Sequence, residues 1–165
     1  MKNTDTKEEV LNVIFDFPTK RFHIRELSRI LKISPPAISK AVKELEKDSL
    51  ITTEKSIIHS ISANLENPRF KQIKRVKNLS KIYDSGLSDY LKEQFPDSTI
   101  VLFRSYADGE DTEKDNIAIA VLNSKEKKLS LAQFEQQLNR KIEIVFTKPN
   151  ESIINGIKLY GHISL

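Results

Sequence analysis

Apolar positions in the first fifty residues recur at helical spacing in three separate runs. Val10, Val13, Ile14 and Phe17 stop before Pro18 and predict a first helix over roughly 5–17. Ile24, Leu27, Ile30 and Leu31 predict a short second helix over about 23–32. After Ile33, Ser34 is placed as an N-cap and Pro35 at the first helical position, where its missing N–H costs nothing. The third helix turns Ile38, Ala41, Val42 and Leu45 inward and leaves Ser39, Lys40 and Lys43 outside. Past Leu50 the pattern becomes β-branched. Ile51-Thr52-Thr53 and Ile57-Ile58-His59-Ser60-Ile61 flank Glu54-Lys55-Ser56, which predicts a hairpin with Lys55 at its tip.

A longer helical pattern fills 69–95, interrupted at Ser85-Gly86 and closed by Pro96. Its apolar stripe includes Phe70, Ile73, Val76, Leu79 and Ile82, and its other face is basic. Beyond it, 98–103 and 116–121 read as buried strands around the acidic, turn-rich segment 104–115. A helix with Leu129, Phe134 and Leu138 inward, a third strand over 141–147 and a helix over 151–160 complete the order. That order predicts a small α/β sandwich. The fold class is therefore α/β (α+β), in three parts: 1–66, a helical linker 67–96, and 97–165.

Charge sharpens the division. The whole chain carries a net +4, yet 67–96 alone holds seven basic and three acidic side chains. Lys74 and Arg75 in that run are candidates for phosphate contact, against the plainer alternative of a solvated face. The 165 residues include no cysteine, which excludes disulfides, thiolate nucleophiles and Cys-based zinc sites. The three histidines, His23, His59 and His162, have no ligand-like spacing, so no metal site and no cofactor is expected. The acidic residues Asp108, Glu110, Asp111, Glu113 and Asp115 lack calcium-loop spacing and read as solvated surface, one of them available to Arg104. No apolar run reaches membrane-spanning length and the N-terminus shows no signal-peptide core, so no membrane partner and a cytoplasmic location are expected.

Three helices, a tight break before the third and then a hairpin is the winged helix-turn-helix order. The segment HIRELSRILKISPPAISKAVKELEKDSLITTEK resembles bacterial and archaeal winged-helix transcription regulators. A helix seated in a major groove needs short polar side chains and cations outside and an apolar stripe behind. Ser34, Pro36, Ser39, Lys40 and Lys43 are the resulting candidates for contact with double-stranded DNA, with Lys55 reaching a flanking phosphate. The alternative is a winged helix used for protein contact.

The string IVLFRSYADGEDTEKDNIAIAVLN resembles the minimal nucleotidyltransferases of the DNA polymerase β-like superfamily, whose members read roughly LFGSYARGE…SDIDLAV. With the winged helix, the whole resembles two-part proteins found mainly in archaea. The family's Gly-Ser pair brings backbone close to phosphates, and its two strand aspartates with a later carboxylate hold two Mg²⁺. The resemblance puts Arg104 at the Gly position, keeps Ser105, puts Asn116 and Ala118 at the aspartate positions, and matches Glu143 to the last carboxylate. Asp115, one residue early, points to the opposite face if the strand is regular. Magnesium prefers anionic oxygens, so the resemblance implies a pseudoenzyme with no catalytic residue.

The resulting expectation is a DNA-binding transcription regulator. Its degenerate C-terminal domain serves homodimerisation, contact with a protein effector or sensing of a nucleotide. The alternatives are an active nucleotidyltransferase that regulates itself through DNA, and a protein-interaction module.

Overall fold

The computed structural model describes residues 5–55 and 59–162, with the Lys55 side chain also outside the description. Two compact units divide the chain, 1–70 and 71–165. Among the described residues there are eight helices and two sheets, a mixed α/β architecture.

In the first unit α1 (Thr6–Asp16), α2 (Ile24–Leu31) and α3 (Pro35–Lys47) precede the hairpin β1 (Ile51–Lys55) and β2 (His59–Ala63). Asp5 caps α1 by accepting from the Lys7 N–H. The α2–α3 connection is tight because Lys32 adopts the left-handed conformation (φ 57°), Ile33 N–H donates to the Ser28 carbonyl, and Ser28 Oγ donates to the Ile33 carbonyl. Ser34 occupies the N-cap position of α3 as expected, but caps through backbone alone: its carbonyl accepts from Ile38 N–H at 3.1 Å and its hydroxyl makes no cap bond. Ile38, Ala41, Val42 and Leu45 are all buried, against α1 and the hairpin.

The hairpin differs from expectation in two respects. Glu54 and Lys55, expected in the turn, continue β1 and pair with Ser60 and His59. Ser56, Ile57 and Ile58 lie outside the described residues. A third strand-like element also joins the sheet, as Phe22 exchanges both backbone hydrogen bonds with Ile61 (2.9 and 2.8 Å). Phe22 is buried, so the bridge couples the α1–α2 connection to the wing through both backbone and core.

The helix α4 (Pro68–Asp84) begins in the first unit, where buried Phe70 meets Phe15 edge to face, and continues in the second. There it is followed by α5 (Leu87–Gln94), β3 (Thr99–Phe103), α6 (Ser105–Asp108), β4 (Ile117–Leu122), α7 (Ala132–Leu138), β5 (Ile142–Thr147), α8 (Glu151–Ile154) and β6 (Ile157–Tyr160). Of the expected linker 67–96, residues 71–96 fall within the second compact unit. The expected helix over 151–160 is instead a single helical turn and a strand. Ile157 and Leu159 pack on the core on either side of exposed Lys158, and β6 adds to the sheet edge along β3.

The sheet runs β5-β4-β3-β6, with β3 antiparallel to both β4 and β6, and β4 parallel to β5. Period-two alternation divides its side chains. Ile100, Leu102, Ile117, Ile119 and Val121 join the larger core with Ile82, Leu87, Leu91, Phe134 and Leu138. Val101, Phe103, Ala118, Ala120 and Leu122 face the other way, over Ile153. Gly109 ends α6 in the left-handed region (φ 73°), and a Cβ there would collide with the Lys71 carbonyl of α4. Only glycine permits that approach.

Candidate functional site

The outer surface of α3 combines exposed Pro36, Lys40, Lys43 and Lys47 with half-buried Ser39, and exposed Ser34 leads into it. The buried stripe sets this face, since residues three and four apart share one side of a helix. Its cations differ from their neighbours. Lys7 pairs with Asp48 at 2.5 Å, Lys20 with Glu26 at 2.7 Å and Arg21 with Glu54 at 3.2 Å. Among the described residues, Lys40, Lys43 and Lys47 form no ion pair.

Those neighbouring pairs brace the helix ends. The hydrogen bond from Lys7 holds Asp48, at the α3 C-cap, below its ordinary carboxylate range and raises Lys7. Lys20 does the same to Glu26 at the start of α2. Thr53 Oγ1 donates to Glu46, tying the end of α3 to β1. His23 Nδ1 lies 2.7 Å from the His59 backbone carbonyl, so the His23 ring is engaged by the wing.

Lys47, one turn beyond Lys43 on the same face, escaped the sequence reading, although its i, i+4 spacing was there to find. Exposed Arg25, Arg29 and Lys32 on and after α2 escaped it too, because no hydrophobic pattern separates them from ordinary surface cations.

Lys74 requires a correction. It is 1 % exposed, and its ammonium donates to both the backbone carbonyl and the carboxylate of Asp111, itself 2 % exposed. Asn78 Nδ2 completes the group, donating to Asp111 Oδ1 at 2.7 Å and to the Tyr106 carbonyl at 3.0 Å. Burial pushes the Lys74 ammonium below its ordinary value and Asp111 opposes the shift. Lys74 is therefore a buried clamp between α4 and the acidic segment, unavailable to a phosphate, and Asp111 is not solvated surface. Arg75, the next residue, is exposed in the second unit.

The second unit also has a cleft of about 270 Å³ lined by Arg104, Ser105, Lys114, Asp115, Asn116, Ala118 and Glu143. Ala118 stands level with Phe103 on one side and Glu143 on the other, so those three positions share a sheet face. Arg104 pairs with Glu143, not with an acid of the 108–115 segment: its Nη1 donates to both carboxylate oxygens at 2.9 Å, and its guanidinium lies 4.8 Å from the centre of the Phe103 ring. Its backbone is at φ 63°, ψ −162°, a region glycine occupies far more readily than arginine. Asp115 also lines the cleft. β4 begins only at Ile117, and Asp115 ends a turn in which its carboxylate accepts from Thr112 N–H at 2.7 Å and Oγ1 at 3.0 Å, so strand alternation does not reach it.

Magnesium, which the nucleotidyltransferase resemblance suggests, does not fit these residues. For magnesium, Ala118 offers no oxygen, Asn116 only a neutral one, and the Glu143 carboxylate is held by a guanidinium. No group of three or more His, Cys, Asp or Glu side chains among the described residues is placed to hold a metal ion.

Residues 2–56 match the family model described as iron dependent repressor, N-terminal DNA binding domain. The match spans the three helices and β1, about a third of the chain, and supports a DNA-binding transcription regulator. Among the described residues, the donor set gives no grounds for carrying the iron of that description to this chain. No curated protein and no solved structure matches significantly. Among the described residues, no helix is long and apolar enough to cross a membrane.

Proposed function

We propose that the protein is a cytoplasmic transcription regulator whose first unit reads double-stranded DNA through α3. Its second unit is a nucleotidyltransferase-like domain without catalysis, serving assembly and response to a nucleotide or protein effector. One observation carries the DNA reading: three exposed lysines line the outer face of α3 without ion pairs among the described residues, on a unit that matches a DNA-binding domain. Ser34, Pro36 and Ser39 supply short contacts at the N-terminal end of the same helix, where base edges are read. Lys55 and Arg75 are the outlying candidates for phosphate contact. The pairing of Arg104 with Glu143, together with Asn116 and Ala118, supports the pseudoenzyme reading.

The test is fluorescence anisotropy on duplex DNA across a salt series. Lys40→Ala with Lys43→Ala should weaken binding and lower the slope of log K against log salt by about two, one for each phosphate left without its lysine. Chelation of divalent metal should leave wild-type affinity unchanged. An unchanged slope removes these lysines from the interface. Affinity that collapses on chelation, or transfer of labelled nucleotide by the wild-type chain, would overturn the metal-free, non-enzymatic reading.

A further inference from the structure

We infer that the Arg104 cleft binds the phosphates of a nucleotide without a metal ion, and that the base lies in the adjoining hollow of the second unit. The inference deepens the nucleotide response proposed above and rests on that reading.

The cleft is unbalanced in hydrogen bonding, not in charge. Its two cations, Arg104 and Lys114, are matched in number by two acids, Asp115 and Glu143. Both Glu143 oxygens already accept from Arg104 Nη1, and Asp115 Oδ2 accepts twice from Thr112. The donors are less occupied. Holding Glu143 through Nη1 alone leaves Nε and Nη2 of Arg104 with no acceptor among the described residues. Lys114 Nζ, Ser105 Oγ and Asn116 Nδ2 also donate to nothing among the described residues. Four side chains thus bring spare donors to one cleft.

The Nε–Nη2 edge of a guanidinium is the planar fork that matches two oxygens of a phosphate. The Phe103 ring, 4.8 Å from the Arg104 guanidinium, holds that plane by a cation–π contact. The strained backbone of Arg104 fits the same role, because strained residues cluster at ligand clamps. With Glu143 taken by a guanidinium, a phosphate here meets side-chain donors and no bound cation.

A hollow of about 500 Å³ shares Lys114, Asp115 and Asn116 with the cleft, so the two adjoin. It adds the exposed amides of Gln136 and Asn139, whose side chains are bonded to nothing among the described residues. Side-chain amides pair with the polar edges of bases. The phosphates fit the smaller space and the base the larger.

The test is isothermal titration calorimetry of the full chain with ATP and with inorganic tripolyphosphate, each in EDTA and in Mg²⁺. Circular dichroism verifies that each variant folds. ATP should bind in EDTA, more tightly than tripolyphosphate, and Mg²⁺ should not tighten it. Arg104→Gly and Lys114→Ala should each weaken ATP at least about tenfold. Lys148→Ala, about 16 Å along the chain from Glu143, should leave it unchanged. Glu143→Gln should tighten ATP, since it removes a carboxylate that competes for Arg104. ATP that binds only with Mg²⁺ overturns the metal-free site and leaves the nucleotide response standing. No binding in either buffer overturns both and leaves a protein effector. Wild-type affinity in Arg104→Gly, or weaker binding in Glu143→Gln, overturns the assignment to this cleft. Tripolyphosphate as tight as ATP overturns the placing of the base.

Discussion

Arg104 grips the Glu143 carboxylate with one nitrogen 2.9 Å from each oxygen, and does so from a backbone conformation suited to glycine. Arginine there combines a strained main chain with a surface ion pair, and the two are of unequal size. Residues held in such regions cost on the order of 1–3 kcal/mol, whereas a half-exposed pair returns about 0–1 kcal/mol. Replacement by alanine keeps the strain and loses the pair; glycine loses the pair and relieves the strain. Arg104→Gly should therefore be more stable than Arg104→Ala by about 1–2 kcal/mol in urea melts. Equal stabilities would mean that the backbone at 104 relaxes freely.

Lys74 and Asp111 lead to a second expectation. Removing one partner of a buried pair leaves the other charge uncompensated, at a cost of about 3–5 kcal/mol. Lys74→Met should destabilise the second unit by that order. The salt slope of DNA binding by the folded fraction should stay as in the wild type. A loss of slope with stability intact would return Lys74 to the nucleic-acid interface.

The ion pair between Lys7 and Asp48 makes the first unit acid-sensitive in a defined direction. Asp48 ends α3, where the helix dipole disfavours an anion, and the bond from Lys7 outweighs this to lower the carboxyl below its ordinary value of 3.8. A lowered carboxyl contributes stability above that value, and the contribution is lost as pH falls through the folded-state pKa. Asp48→Asn should thus melt below wild type at neutral pH, with the gap closing at an acid pH well under the ordinary carboxyl value. Parallel melting curves at both pH values would deny the coupling.

Much of the fold was legible because hydrophobic spacing is local. Ile38, Ala41, Val42 and Leu45 identified the buried face of α3, and the run from Ile117 to Val121 identified a strand covered on both sides. Failures came where one pattern served two masters. Ile153, Ile154 and Ile157 sit at helical spacing, yet the chain turns at Gly156, which packs against the Leu102 carbonyl, and Ile157 starts a strand. The stripe along α4 merged residues of opposite fate: Ile82 is buried in the second unit, while Val76 faces water. Charge was harder still. A basic run records sign and spacing, but the acid that neutralises Lys74 lies 37 residues downstream. Likewise Arg104 and Glu143 are brought together by the β4–β5 register, which no short window contains.

The ring of Phe15 has its edge-to-face partner in Phe70, on the first turn of α4. A truncation drawn after the wing, at Glu66, would amputate that partner and expose an aromatic surface that the intact unit keeps dry. A minimal fragment of the first unit must therefore carry the opening turn of the following helix to keep the Phe15 ring covered.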